Sequence, residues 1–226
     1  MDVKQTRRLW GMAQRRPCWV PTLRGWVVLL ALCASLAVFA VRGIYSFLAV
    51  TQPVESDTLV VEGWLPDYAL GRVVIEFRRK PYQRMYVTGV PIEAGSFLSE
   101  YTNHAFVTAA TLLRLGISKD VIEVVPAPRA LRDRTYISAL TLNKWFGEHS
   151  VSPKQLQVMT LGPHARRTRL LYEKAMGDRM AIGIIAIEDQ DFEPQHWWRT
   201  SMGFRSVTDE LIAYGYARFL FHPRKP

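Results

Sequence analysis

Between Gly25 and Val41 the sequence reads GWVVLLALCASLAVFAV, seventeen residues without a charge. That run limits the architecture before anything else does. At 1.5 Å per residue a helix of this length spans about 26 Å, slightly short of the roughly 30 Å hydrocarbon core of a bilayer. Arg42 interrupts, and GIYSFLAV then carries the apolar character on to Val50. An arginine that snorkels to the interface lets a span continue through it. Trp26 and Tyr45 stand where interfacial anchors stand. The expectation is a transmembrane anchor over residues 25–50, after a basic tail (1–24) and before a linker (51–56).

Lys4, Arg7, Arg8, Arg15, Arg16 and Arg24 precede the run against Asp2 alone, whereas Arg42, Glu55 and Asp57 follow it. The positive-inside bias predicts a single-pass protein of the cell (inner or plasma) membrane, with a cytoplasmic N-terminus and an extracytoplasmic domain. A cleaved signal peptide is the competing reading, since Val38-Phe39-Ala40 resembles a small-residue cleavage site. The long basic region and the length of the run favour an uncleaved anchor, and the flanking charges count against a buried core helix.

The same division explains the net charge of +9, because residues 51–226 hold 22 Lys and Arg against 19 Asp and Glu. The basic excess sits in the tail and not on a folded face, so no nucleic-acid partner is implied. Cys18 and Cys33 also precede residue 51. The domain therefore has no disulfide framework and no thiolate metal site, and no metal is implied.

From residue 57 to 226, strand-like and helix-like patterns alternate. Short apolar, β-branched runs at 57–64, 84–90, 121–128, 156–162 and 180–189 read as strands. Helical spacing marks 66–80, 100–116, 133–148 and 163–177, with a last helix over 206–221 that opens on Ser206 and Asp209 in capping-box spacing. A loop is expected over 91–99. The strands are continuous apolar runs, as helices on both faces of a sheet require. The fold class predicted is α/β, a doubly wound and mostly parallel Rossmann-like sheet preceded by one transmembrane helix.

In such a sheet, ligands bind beyond the carboxyl ends of the strands. The positions selected are Glu62-Gly63-Trp64, then Thr88-Gly89 with Glu100 across the loop, then Arg129, Arg132, Asp133, Arg134 and Thr135, and finally Gly162 to Arg167. Guanidiniums and helix N-termini suit a phosphate or diphosphate. His164 and Arg167 share a helix face, while Arg166 and Arg169 are expected to point away into solvent. Glu62 is either a general base or an exposed strand-end carboxylate. His104 and His149 read as structural, and HWWR (196–199) as core packing or a lid. No G-x-S-x-G, Walker A, G-x-G-x-x-G or H-E-x-x-H motif occurs.

The anchor, the Gly-containing turn after the first strand, the VTG ending of the second, the Thr-bearing helix start after the third and the H-x-x-R after the fourth together resemble the ElyC/SanA/YdcF family, a Rossmann-like bacterial family. The resemblance covers about residues 57–190. It matches Gly63 and Gly89 to the glycine turns, Arg72 to an arginine of the first helix and Glu100 to the acidic residue opening the second. Thr135 matches the Ser/Thr segment, and His164 with Arg167 the final pair. The chain departs from the family at Glu62-Gly63-Trp64, where a glycine run is usual. It departs again at Gly89-Val90, where a double glycine is usual, and at RDRTYISA, which replaces an asparagine-bearing pattern.

The resemblance implies a role in the bacterial envelope, in peptidoglycan assembly or undecaprenyl-carrier metabolism, and one branch is linked to S-adenosylmethionine. On this reading His164 is the acid/base, Glu62 or Glu100 its carboxylate partner, and Arg134 and Arg167 the anion clamps. The ligand is a phosphorylated, lipid-linked or sugar intermediate. A non-catalytic scaffold in an envelope assembly with unknown protein partners remains open; a nucleotide or S-adenosylmethionine binder is the third reading, disfavoured by the expected outward orientation because such ligands are cytoplasmic. The cofactor is unspecified.

Overall fold

The computed structural model describes residues 8–9, 13–14, 21–93, 100–178 and 180–223. Most of the basic tail and of the loop expected over 91–99 lies outside the described residues. Arg8–Leu9 and Ala13–Gln14 form a two-residue antiparallel ladder. The chain divides into two compact units, residues 1–41 and 42–226.

Helix α1 (Leu23–Leu48) runs through Arg42 without a break. With 26 residues, it is long and apolar enough to cross a membrane. Its last residues belong to the second unit. There Leu48 is fully buried in a cluster with Phe192, Trp197 and Val207. Tyr45, expected at an interface, meets the Phe192 ring edge-on at 6.0 Å. HWWR is thus core packing, since Trp197 is part of that cluster.

Strands β1 (Thr58–Glu62), β2 (Arg84–Gly89), β3 (Ile122–Pro126), β4 (Gln155–Leu161) and β5 (Ala181–Ile187) form one parallel sheet in the order β3-β2-β1-β4-β5. The connecting helices are α2 (Asp67–Arg79), α3 (His104–Arg114), α4 (Arg134–Glu148) and α5 (Ala165–Met176). Helix α6 (Ser201–Phe219) follows β5.

Strand alternation decides which side each residue serves. Leu59, Val61, Met85, Val87 and Met159 pack with α2 and α3. Val60, Tyr86 and Val158 pack with α4, α5 and α6. Fully burying such a side chain stabilises the fold by about 1.5–3 kcal/mol. Both faces are covered, which is why no strand shows a polar stripe along its whole length. The strand order reverses between β1 and β4, and a crevice opens there.

The segment expected as a linker is tied to the sheet. Gln52 pairs with Ile184 of β5 in an antiparallel bridge, the Val54 N–H donates to Gln157 Oε1 at 2.9 Å, and Ser56 Oγ donates to the Gln155 carbonyl at 2.7 Å.

Two helix starts differ from expectation. Helix α3 begins at His104 rather than 100, because the Asn103 side chain accepts from the Ala105 N–H and stops the helix there. Helix α6 begins at Ser201 rather than 206, because Thr200 caps it by accepting from the Gly203 N–H at 3.1 Å. The Ser206…Asp209 spacing is inside the helix.

Gly63 and Gly89 are close-approach positions. A Cβ on Gly63 would stand 2.7 Å from the Thr88 carbonyl oxygen and 2.9 Å from the Ala105 nitrogen. One on Gly89 would stand 2.6 Å from the Ala105 nitrogen. The first turn of α3 lies directly on both turns. Gly63→Ala should therefore lower stability by about 1–3 kcal/mol, the range for overpacking against backbone. Gly71→Ala, with nothing within 4 Å of the new Cβ, should not, and thermal melts of the detergent-solubilised variants check both.

Candidate functional site

The even positions of β1, β2 and β4 that carry Val60, Tyr86 and Val158 end in Glu62, Thr88 and Thr160. The apolar row facing α4–α6 thus becomes polar at its last residue on three neighbouring strands. Glu62 is only 3% exposed. Its Oε2 accepts from Thr160 Oγ1 in a short hydrogen bond and from Thr168 Oγ1 at 3.4 Å. Thr88 Oγ1 lies 3.3 Å from the hydroxyl of Tyr172. Burial first, then the nearby Glu62 charge, hold that phenol far above its usual range, so it stays protonated.

Above this floor opens a cleft of about 590 Å³, lined by the ends of β1 and β2, the first turns of α3, α4 and α5, and one side of α6. His164 stands on the turn between β4 and α5, where Pro163 occupies the start of a single 3₁₀ turn over Gly162–His164. Its Nδ1 lies 2.8 Å from Glu210 Oε1. Its Nε2 faces Thr135 Oγ1 at 3.4 Å and Glu62 Oε2 at 3.8 Å. The Trp64 ring meets the imidazole edge-on at 5.0 Å.

Arg167 grips Glu210 in two parallel bonds, Nε to Oε2 at 2.8 Å and Nη2 to Oε1 at 2.9 Å. Its Nη2 also approaches His164 Nδ1 at 2.9 Å. Two N–H donors cannot satisfy each other, so the contact to the carboxylate sets the proton on Nδ1, and Arg167 serves Oε1.

Burial by itself would push Glu210 up. His164 and Arg167 overcome it and hold the carboxyl far below its usual range. Burial likewise opposes the charge on Arg167, and Glu210 restores it, keeping the guanidinium above its ordinary value.

The sequence-selected residues are brought together unequally. Glu62, Gly89, Arg134, Thr135, His164 and Arg167 line the cleft. Gly63 lies behind it: its N–H donates to the Thr88 carbonyl at 2.6 Å and its carbonyl accepts from Thr108 Oγ1 at 2.7 Å. Arg72 is exposed on α2 and Glu100 is exposed ahead of α3, and neither lines the cleft. Glu62 is not the exposed strand-end carboxylate of the alternative reading.

Arg166 and Arg169 point away, as their helix positions require, but neither is simply solvated. Arg166 donates to the Phe47 carbonyl and lies 4.0 Å over that ring. Arg169 donates to Gln52 Oε1 and, at 2.8 Å, to Glu173. His104, read as structural, lines the cleft. Burial first and Arg134 second hold its ring below the usual value of 6.5.

Glu210 was not selected from the sequence. The signal was present, since Val207, Glu210 and Ala217 recur at helical spacing and a glutamate interrupts an otherwise apolar buried stripe.

The arrangement can move a proton. A carboxylate that holds Nδ1–H leaves Nε2 as the cleft-facing basic atom, the orientation used for general acid–base transfer. The buried carboxylate on the floor repels an anion from the deepest point. Among the described residues, Arg132 and Arg134, at the start of α4, are the cationic groups of the rim that no buried carboxylate neutralises; Arg134 pairs with the exposed Glu93 at 3.7 Å. Among the described residues no group of three or more His, Cys, Asp and Glu side chains is disposed to hold a metal ion. No protein-family model matches the chain, and no curated protein matches it either.

Glu210→Gln should destabilise the protein by about 3 kcal/mol, because it leaves the largely buried Arg167 without its counter-charge. The pH dependence has two signed parts. The His104 ring binds a proton more readily when unfolded, so stability falls as pH drops below 6.5. The depressed Glu210 contributes stability above the ordinary carboxyl value of 4.5, and that contribution is lost as pH falls further. Melting curves against pH should show both losses. His104→Gln should remove the first and Glu210→Gln the second.

Proposed function

We propose that the chain is a membrane-anchored bacterial envelope protein of the ElyC/SanA/YdcF type, whose cleft binds and processes a phosphate- or diphosphate-containing lipid-carrier intermediate of cell-wall or polysaccharide synthesis. The observation that carries this reading is the juxtaposition of a carboxylate-oriented His164 with the Arg132–Arg134 rim at the start of α4. A diphosphate on the rim receives bidentate donors from the guanidiniums and the positive end of the α4 dipole. Its ester oxygen then lies toward Nε2, where His164 takes or gives the proton. Arg167 acts here as a positioning residue through Glu210 and not as an anion clamp. Thr135 holds the Nε2 side of the ring. The basic N-terminal tail supports a cytoplasmic start and an extracytoplasmic domain.

Mass spectrometry of small molecules co-purifying with the detergent-extracted chain tests the ligand class. A polyprenyl phosphate or diphosphate is expected, and S-adenosylmethionine or a nucleotide in its place contradicts the reading. Arg134→Ala should weaken pyrophosphate binding about 10-fold or more, the usual worth of a charge-assisted hydrogen bond, measured by calorimetry. His164→Ala should cut turnover by about 10²–10⁴-fold, as for loss of a general acid or base. If His164→Ala and Glu62→Gln both accumulate normally and preserve envelope function in cells, the role is binding without catalysis.

A further inference from the structure

Helix α6 has two unlike faces. Val207, Glu210 and Ala217 look inward, and Ala213, Tyr216 and Ala217 form one wall of the cleft. On the outward side Phe204, Leu211, Ile212 and Phe219 recur at helical spacing and are exposed among the described residues: Ile212 is 71%, Phe219 70% and Phe204 51% exposed, although the Phe204 ring lies 6.0 Å from that of Trp197. Arg205 and Arg218 border this stripe, and Arg218 lies over the Phe219 ring at 5.8 Å. The only acidic residue on the exposed side is Asp209. The sequence continues past the helix to Arg224 and Lys225.

The helix is also the element against which the chain emerges from α1. The Phe47 ring meets Tyr214 of α6 at 5.6 Å, and Leu48 is buried against Val207. We infer that the outward face of α6 rests in the headgroup region of the same bilayer that α1 crosses, so that the cleft opens at the membrane surface. An apolar stripe bordered by arginines is the composition of an interfacial helix, with the stems covering apolar surface and the guanidiniums meeting lipid phosphates. A soluble protein partner would not need to lie beside the exit of the membrane helix. With α6 as both cleft wall and bilayer contact, an amphiphile presents its phosphate to the Arg134 rim while its tail stays in lipid. The inference rests on reading α1 as a membrane span.

The test uses the full chain with Cys18→Ser and Cys33→Ala, carrying a single cysteine at Ile212→Cys, at Phe219→Cys or, as a control, at Ile75→Cys. Ile75 is equally apolar and 57% exposed, but lies on α2 across the sheet. Each is labelled with an environment-sensitive fluorophore. Each is then reconstituted into vesicles of phosphatidylethanolamine and phosphatidylglycerol containing brominated lipid. Labels at 212 and 219 should be blue-shifted and quenched about threefold or more over the label at 75, since an interfacial face lies ~5–10 Å into the headgroup–acyl boundary. Equal, weak quenching at all three positions overturns the inference. So does a 212-to-212 cross-link that excludes the quencher, because a second copy would then be the occupant. Alkaline carbonate extraction separates the two readings. If the chain is released, the anchor fails; if it stays in the vesicles and 212 and 219 report water, only the docking of α6 fails.

Discussion

A buried carboxylate has to be answered by positive charge, and Glu210 answers to two groups at once. Taking an arginine and a glutamate out of water costs several kcal/mol per ion, which only a close, fully bonded pairing offsets. Arg167 supplies that pairing in a bidentate geometry, and His164 adds a third bond to the same carboxylate. The consequences reach beyond the cleft. Because Glu210 belongs to α6 while His164 and Arg167 flank the start of α5, the cluster fixes α6 against the sheet. It also turns the imidazole so that Nε2 faces the open space. The fold and the chemistry therefore depend on one side chain from the last helix.

Much of the architecture was legible in the sequence. The apolar run led to α1, and the alternation of short β-branched segments with helical ones led to a parallel sheet with helices on both faces. Local chemistry also located the carboxyl-end positions of Glu62, Thr135, His164 and Arg167. The parts that were not legible have physical reasons. Helix starts moved because side-chain caps, Asn103 and Thr200, outweighed pattern. Burial of Glu62 depends on Thr160 and Thr168, distant in sequence, giving a carboxylate partners it could not find locally. Arg167 looked like an anion clamp because its partner comes from 43 residues away. Gly63 looked like a ligand turn, but the close approach it permits is that of α3.

The floor and rim of the cleft divide the electrostatic work. Glu62 makes the base of the cleft acidic, and Arg132 and Arg134 make its edge basic beside the α4 N-terminus. Floor and rim thus differ in sign, a carboxylate below and guanidiniums at the edge.

The most direct test of this account is the tautomer of His164. Selective ¹⁵N-histidine labelling, with the signal assigned by His164→Gln, reads which ring nitrogen carries the proton when the imidazole is neutral. If Glu210 orients the ring, the proton resides on Nδ1 in the native chain, and Glu210→Gln abolishes that preference. A proton on Nε2 in the native chain, with Arg167 donating to Nδ1, would contradict the account, because no basic nitrogen would then face the cleft.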